Sequence, residues 1–299
     1  MSSVHKMKEG YLNILGLAPA YVVMLFMMVI PLGIIVYVSM MTSDPYGGFI
    51  SEFSLDSFQQ ILFVTDWDDN LQLDLQYLNI IGRTLLLSLI TAIICLCLAF
   101  PVAFYIARQS ASRKALLLFL VMLPFWISMI VRVYAWVLIL SDNGVLESVL
   151  SFLGLVDDMD SLLYNNGAML VGMVYSYIPL MILPIYASIE KLDLRLVEAA
   201  SDLYANRFNT LFRIVLPLCK PGIVAGIILV FVPCLGTVLE PMLLGGGKTM
   251  LMGNLIQNQF GVARNWSFGA SLTLALLAIV MIFLMLQALR ASRLKQQEQ

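Results

Sequence analysis

Chemistry in this sequence has few places to reside. Two charged side chains, Arg132 and Glu240, fall inside long apolar stretches, where an ionised group costs several kcal/mol and is a functional candidate by default. Glu240 follows Pro233 and Gly236 and precedes Pro241. Those helix breakers predict an interrupted helix, as irregular backbone at membrane depth requires. Glu240 is then either a counter-charge for a cationic solute or a carboxylate reaching the outer water. Arg132 either snorkels outward or pairs with Glu240. Trp126, Tyr134, Trp136, Tyr175 and Tyr177 are suited to cation–π contacts with ammonium groups, and equally to interfacial anchoring. The remaining chemistry is negative. The one histidine, His5, excludes Ser-His-Asp and His-based metal sites. Gly245-Gly246-Gly247-Lys248-Thr249 imitates the end of a phosphate-binding loop, yet Met242 stands where the first glycine is required. No nucleotide, metal or cofactor site is therefore expected in this chain. Cys95, Cys97, Cys219 and Cys234 lie in or beside apolar runs without metal-ligand spacing and read as small core residues.

The elements that must position these residues are membrane helices. Apolar residues make up 61% of the 299-residue chain and charged ones 12%, against roughly 45–50% and about 25% in soluble domains. A spanning helix takes about 20 apolar residues. Six stretches qualify: Ile14–Met41, Thr84–Ala107, Ala115–Leu140, Ala168–Ile189, Gly222–Leu244 and Phe268–Leu289. The expected fold is therefore an all-α integral membrane protein with six transmembrane helices, a single domain over residues 1–299. The first stretch far exceeds the apolar core of a cleavable signal peptide.

Orientation follows from Lys and Arg. With the N-terminus inside, the cytoplasmic pieces carry Lys6, Lys8, Arg108, Arg113, Lys114, Lys191, Arg195, Arg207, Arg213, Lys220, Arg290, Arg293 and Lys295, and the outside only Arg83, Lys248 and Arg264. Both termini are expected in the cytoplasm. The outer loops are acidic, with Asp44, Glu52, Asp56, Asp66, Asp68, Asp69 and Asp74 in the first and Asp142, Glu147, Asp157, Asp158 and Asp160 in the second. They either steer cations or are what positive-inside topology leaves behind. Phe53, Leu55, Phe58, Ile61 and Leu62 predict a short amphipathic helix in the first outer loop. Net charge is −2, which gives no ground for nucleic-acid binding.

The inner loop 190–221 is far longer than an antiparallel connection needs. Its mixed pattern from Leu192 to Leu216 predicts two short helices with an apolar face, closed by Pro217 and Pro221-Gly222. That face fits a protein partner, or a helix lying flat on the bilayer.

The loop reads Glu198-Ala199-Ala200-Ser201-Asp202-Leu203-Tyr204-Ala205, then Phe212-Arg213-Ile214-Val215-Leu216-Pro217, then Pro221-Gly222-Ile223. It closely resembles the "EAA" loop of permease subunits of binding-protein-dependent ABC importers. The resemblance implies a type I (MetI-like) permease fold in a bacterial inner membrane. It also implies a coupling hairpin within 190–221, with Glu198, Ala199, Ala200, Asp202, Leu203, Tyr204 and Ala205 docking on an ATPase subunit. The implied partners are a second homologous permease subunit, two ATP-binding subunits that carry the ATP and magnesium, an external solute-binding protein, and membrane lipid. Where Tyr204 stands the family usually has glycine. The turn there is either right-handed or left-handed, the latter at roughly 1–2 kcal/mol for a side chain.

A narrower resemblance runs through Leu123-Pro124-Phe125-Trp126, Arg132-Val133-Tyr134-Ala135-Trp136, Asn143-Gly144, Tyr186–Leu192 and Phe268-Gly269-Ala270. These segments are similar to the first permease subunit of spermidine/putrescine importers. The resemblance implies a polyamine or related organic cation as solute, with a small zwitterionic or amino-acid-like solute as the alternative. An ion-coupled secondary carrier would need no long inner loop. A membrane-embedded enzyme would need clustered acids or histidines, which the spans lack.

Overall fold

The computed structural model of the chain describes residues 2–65, 71–142, 144–153, 162–193, 195–202 and 204–297. Leu203, Asn143 and the acidic positions Asp66, Asp68, Asp69, Asp157, Asp158 and Asp160 lie outside the described residues. So do the side chains of Glu198 and Ala199. In chain order the elements are α1 (Ser2–Ser39), β1 (Met41–Ser43), β2 (Phe49–Phe53), α2 (Asp56–Gln59), β3 (Phe63–Thr65), β4 (Leu71–Leu73), α3 (Gln76–Ala107), α4 (Ala111–Trp126), α5 (Met129–Leu140), α6 (Val145–Phe152) and α7 (Asn166–Glu190). There follow α8 (Arg195–Asp202), α9 (Arg207–Thr210), a π-helical turn (Leu211–Val215), α10 (Leu216–Leu218), α11 (Lys220–Leu235), α12 (Leu239–Leu243), α13 (Met252–Phe260) and α14 (Trp266–Gln297).

Among the described residues, five helical stretches are long and apolar enough to cross a bilayer: Pro19–Ser39, Gln76–Ala107, Met129–Val149, Asn166–Glu190 and Trp266–Arg290. The count is six when Phe208–Leu218 and Lys220–Leu235, bent by 70° at Cys219, are taken as one broken span. Four of the six expected spans match α1, α3, α7 and α14 closely. The third does not run continuously. It is α4 and α5, parted at Ile127 and Ser128, whose ψ angles of 139° and 134° are extended. Pro124, which has no N–H to offer the Leu120 carbonyl, falls in the last turn of α4 before the break. The fifth is interrupted as expected, between α11 and α12 at Gly236–Val238.

The chain divides into two compact units, Met1–Asp74 with Asn258–Ile279, and Leu75–Gln257 with Val280–Gln299. In the first, α1 exposes an apolar row from Tyr21 to Ile30, the signature of a helix solvated by lipid. The loop after α1 departs from the expected amphipathic helix. Among its described residues only the four of α2 are helical, and two antiparallel strand pairs, β1–β2 and β3–β4, account for most of the others. The β-rich run Phe49-Ile50-Ser51-Glu52-Phe53 and the glycine turn before it prevail over helical spacing. Gly47 and Gly48 take φ of 109° and 96° in that turn, and Tyr46 N–H donates to Asp44 Oδ1 at 2.9 Å. The hairpin is tied to the start of α14. Gly48 N–H donates to the Arg264 carbonyl at 2.8 Å, Ser43 Oγ donates to Asn265 Oδ1 at 2.7 Å, and Phe49 packs on Trp266.

The second unit is built on α3, α7 and α11, which pack on one another. Each brings small residues to the contact. On α3, Ser88, Ala92, Cys95, Ala99 and Ala103 are buried, and on α11 Gly222, Gly226, Val230 and Cys234 recur every fourth residue. The long Met169, Met173 and Met181 of α7 fill the spaces between them and are fully buried. Lipid gives helices no hydrophobic reason to associate, so close van der Waals approach decides the packing. Three of the cysteines are core residues as expected. Cys97 is not: it stands exposed on the outward side of α3. All four are free thiols.

Gly222 has no room for a side chain, since a β-carbon there would stand 2.5 Å from the Pro184 carbonyl oxygen. Gly222→Ala must therefore push α11 off α7. The expected loss is about 1–3 kcal/mol, read as a lowered thermal transition of the detergent-purified chain. An unchanged transition would refute close α7–α11 contact.

Candidate functional site

Two sites in the second unit collect the residues singled out by sequence. The first is the loop 190–221. The Asp193 carboxylate accepts from Arg195 N–H at 3.0 Å and so begins α8. At the other end of α8, Ala205 N–H donates to the Ala200 carbonyl at 3.0 Å. That six-to-one bond is the mark of a Schellman turn, whose left-handed position falls on Tyr204. Tyr204 has φ of 55°. Of the two turns open to it, the chain takes the left-handed one, with the strain that a β-carbon brings. Its ring is 98% exposed.

The backbone then returns through α9, the π turn and α10, and α8 packs on α9 and the π turn. The result is a helical hairpin. Phe208 and Phe212, one helical turn apart, are exposed, as are Leu196 and Asp202, whereas Ala200 is buried against the return helix. The widened turn keeps the return helix going from Thr210 to Leu216 before the chain bends at Cys219. Beside the hairpin, a cleft of about 640 Å³ runs between the end of α7, α8 and the start of α11, lined by residues such as Pro184, Leu192, Leu196 and Pro221. Lys114 Nζ meets Glu190 Oε1 at 2.9 Å and ties the start of α4 to the end of α7.

The second site is the break between α11 and α12. Glu240 on α12, Arg132 on α5 and Tyr177 on α7 come from three helices that pack on one another. All three side chains are buried, Glu240 completely and Arg132 to 8% exposure. Glu240 therefore does not reach the outer water. It forms no ion pair with Arg132 either. The Thr237 hydroxyl donates to Glu240 Oε2 instead, while Glu240 Oε1 and Arg132 Nε and Nη1 have no hydrogen-bond partner. Arg132 has the Phe125 ring 6.0 Å from its guanidinium carbon. The break is braced by Asn254 Nδ2, which donates to the Val238 carbonyl at 2.9 Å. Gly172 of α7 leaves room for Glu240 and Leu244.

The aromatic candidates do not converge. Trp136 and Tyr175 form an edge-to-face pair with centroids 5.6 Å apart. Trp126, against Phe119, is 73% exposed, and Tyr134 is also exposed. The glycine segment 245–247 makes a turn, with Gly246 and Gly247 at φ of 61° and 69°. Thr249 Oγ1 donates to Asn166 Oδ1 at 2.9 Å. Sequence reasoning missed Thr237, Asn254 and Gly172. Thr237-Val238-Leu239-Glu240 has the spacing of a capping box, which was the available signal, though here the two side chains bond each other.

Residues 99–296 match the family described as "Binding-protein-dependent transport system inner membrane component". The chain belongs to this family. Its relatives include the spermidine/putrescine transport system permease protein PotB of Haemophilus influenzae, 35% identical over 91% of each chain. PotB of Escherichia coli K12 is 40% identical over 80% of this chain and 86% of its own. The inner membrane ABC transporter permease protein YdcU of the same organism is 36% identical over 69% of each. The crystal structure of a bacterial ABC transporter that imports alginate shares the fold, with a TM-score of 0.69 over 98% of this chain and 99% of that one, at 20% identity. This permease thus has the type I ABC-importer fold and is an inner-membrane protein.

The strain at Tyr204 is measurable. Tyr204→Gly is expected to leave the permease as stable or to stabilise it by up to about 1 kcal/mol, whereas Tyr204→Ala, which keeps a β-carbon, gives no such gain. Thermal unfolding of both variants checks this; a glycine variant less stable than the alanine one would contradict a left-handed turn.

Proposed function

We propose that this permease forms half of the translocation pore of an ATP-driven importer for a polyamine, spermidine or putrescine, or a related organic cation. The observation that carries the mechanism is the hairpin of α8 and α9, turned at Tyr204, with Phe208 and Phe212 largely exposed. An exposed apolar ridge of this kind fits a protein groove. The hairpin is assigned to dock on an ATP-binding subunit through Glu198, Ala199, Ala200, Asp202, Leu203, Tyr204 and Ala205. ATP and magnesium belong to that partner, and this chain holds no cofactor and hydrolyses nothing itself.

Closure of two ATP-binding subunits then pushes the hairpin and drives alternating access. A second, homologous permease completes the pore, and an external binding protein delivers the solute and sets much of its specificity. The distribution of Lys and Arg supports both termini in the cytoplasm.

The polyamine assignment is supported by the PotB relatives at 35–40% identity, and the acidic outer positions suit a cationic solute. In the pathway, Trp126 and Tyr134 are the exposed candidates for contact with the second subunit or the solute, and the paired Trp136 and Tyr175 are the half-buried ones. Glu240, Arg132 and Tyr177 are assigned to the wall of the pathway, where they set the shape of the α11–α12 break.

The test is uptake of radiolabelled spermidine by vesicles holding the whole importer. Glu198→Lys reverses the charge on the docking face and is expected to abolish uptake and coupled ATP hydrolysis while the chain still inserts. Parental uptake by Glu198→Lys would remove the hairpin from the mechanism. Hydrolysis of ATP by this chain in isolation would overturn the permease role altogether.

A further inference from the structure

Helix α12 is short and flanked by irregular backbone. Gly236 and the irregular Val238 precede it, and Gly246 and Gly247 follow it in left-handed conformations that glycine adopts without steric cost. Within it, Glu240 has one oxygen occupied by the Thr237 hydroxyl and the other, Oε1, buried without a partner. On α5, which packs against α12, the guanidinium of Arg132 is buried with Nε and Nη1 equally without partners. Unmatched buried donors and acceptors are costly, above all on charged groups. These two sets are complementary, and a direct Glu240–Arg132 pair would satisfy both. Thr237 keeps the carboxylate on its own turn instead. Tyr177 of α7 lies within electrostatic reach of both charges and within hydrogen-bonding reach of Thr237, and Cys234 of α11 lies within reach of Glu240. A β-carbon at Gly172 would collide with Leu244 Cδ1, so the close seat of the α12 end on α7 needs glycine there, while Glu240 Cγ at 3.5 Å is in ordinary contact.

We infer that Glu240 has two alternative partners, and that Thr237 is the positioning residue that selects between them. Thr237 holds the carboxylate in the arrangement described here. Arg132 takes it in the opposite state of the transport cycle, when α12 turns about its glycine-flanked ends. The inference rests on the proposed importer function, because only a chain that alternates between two states uses the second arrangement.

The experiment uses the complete importer in vesicles and measures the ratio of ATP hydrolysis with solute-loaded binding protein to that without it. Thr237→Val keeps the shape and removes the donor. It is expected to change that ratio by on the order of tenfold, the equilibrium weight of one hydrogen bond to a charged group. Thr237→Ser keeps the donor and is expected to keep the ratio. In an Arg132→Gln background, where the second partner is gone, Thr237→Val is expected to have no further effect.

A wild-type ratio in Thr237→Val, an equal loss in Thr237→Ser, or the same effect of Thr237→Val with and without Arg132 would each overturn the inference. If Thr237→Val does not assemble, hydrogen exchange of segment 236–247 in the wild-type importer decides. Two levels of protection, with and without a non-hydrolysable ATP analogue, support the exchange of partners, and one level overturns it. Absence of ATP-dependent spermidine uptake by the wild-type importer would sink the function reading itself. Wild-type uptake with an unresponsive Thr237→Val sinks only this inference.

Discussion

Close approach of α3, α7 and α11 is the constraint on which the second unit depends. In lipid the gain from helix association comes from packing rather than from leaving water. Helices carrying Gly222, Gly226, Ala92, Cys95 and Ala99 at their contacts come close enough for methionines to fill what remains. This body has two ends that matter. At one end α7 leads into the hairpin and α11 leaves it, so the hairpin is clamped at both its roots. At the other end α11 stops at Gly236, and the chain must satisfy a broken helix and a buried carboxylate. The two candidate sites are therefore opposite ends of the same packed helix.

The two ends differ in how they meet their polar requirements. At the hairpin, Asp193 and the Ala205–Ala200 bond close the ends of α8 locally, and the apolar side chains are left outward. Such a surface is inexpensive to keep only if a partner covers it. At the break, the requirement is met in part: Asn254 and Thr237 each satisfy one group, and Glu240 Oε1, Arg132 Nε and Nη1, and Asn254 Oδ1 are left over. A protein with a single state would be expected to lose such a remainder, because replacing both charges with apolar groups of similar volume removes the cost.

Much of this was legible in the sequence, for reasons that differ by element. Hydropathy found α1, α3, α7 and α14, since lipid imposes length and composition directly. The inner hairpin was legible because Pro217, Pro221 and the amphipathic run mark its ends, and the interrupted α11–α12 segment because Gly236 and Pro241 flank it. The break at Ile127 was not, since Ala115–Leu140 is apolar throughout and Pro124 is tolerated in many membrane helices. The two hairpins in the first outer loop were hidden by apolar residues whose spacing suits a helix as well as a strand. The relation of Arg132 to Glu240 was missed because opposite charges in apolar surroundings suggest a pair. The local hydroxyl of Thr237, three residues away, captures the carboxylate first. Tyr204 was legible as a conflict but not as an outcome, because only dihedral angles separate a strained left-handed turn from an ordinary one.

The central claim is that the hairpin of α8 and α9 is where this permease is driven by an ATP-binding chain. The most direct measurement places a photo-crosslinking residue at Phe208 in the assembled importer and identifies what is captured on illumination. The account predicts a covalent adduct with the ATP-binding subunit, whose yield changes with nucleotide. Capture of lipid alone, with the ATP-binding subunit present and active, would contradict it.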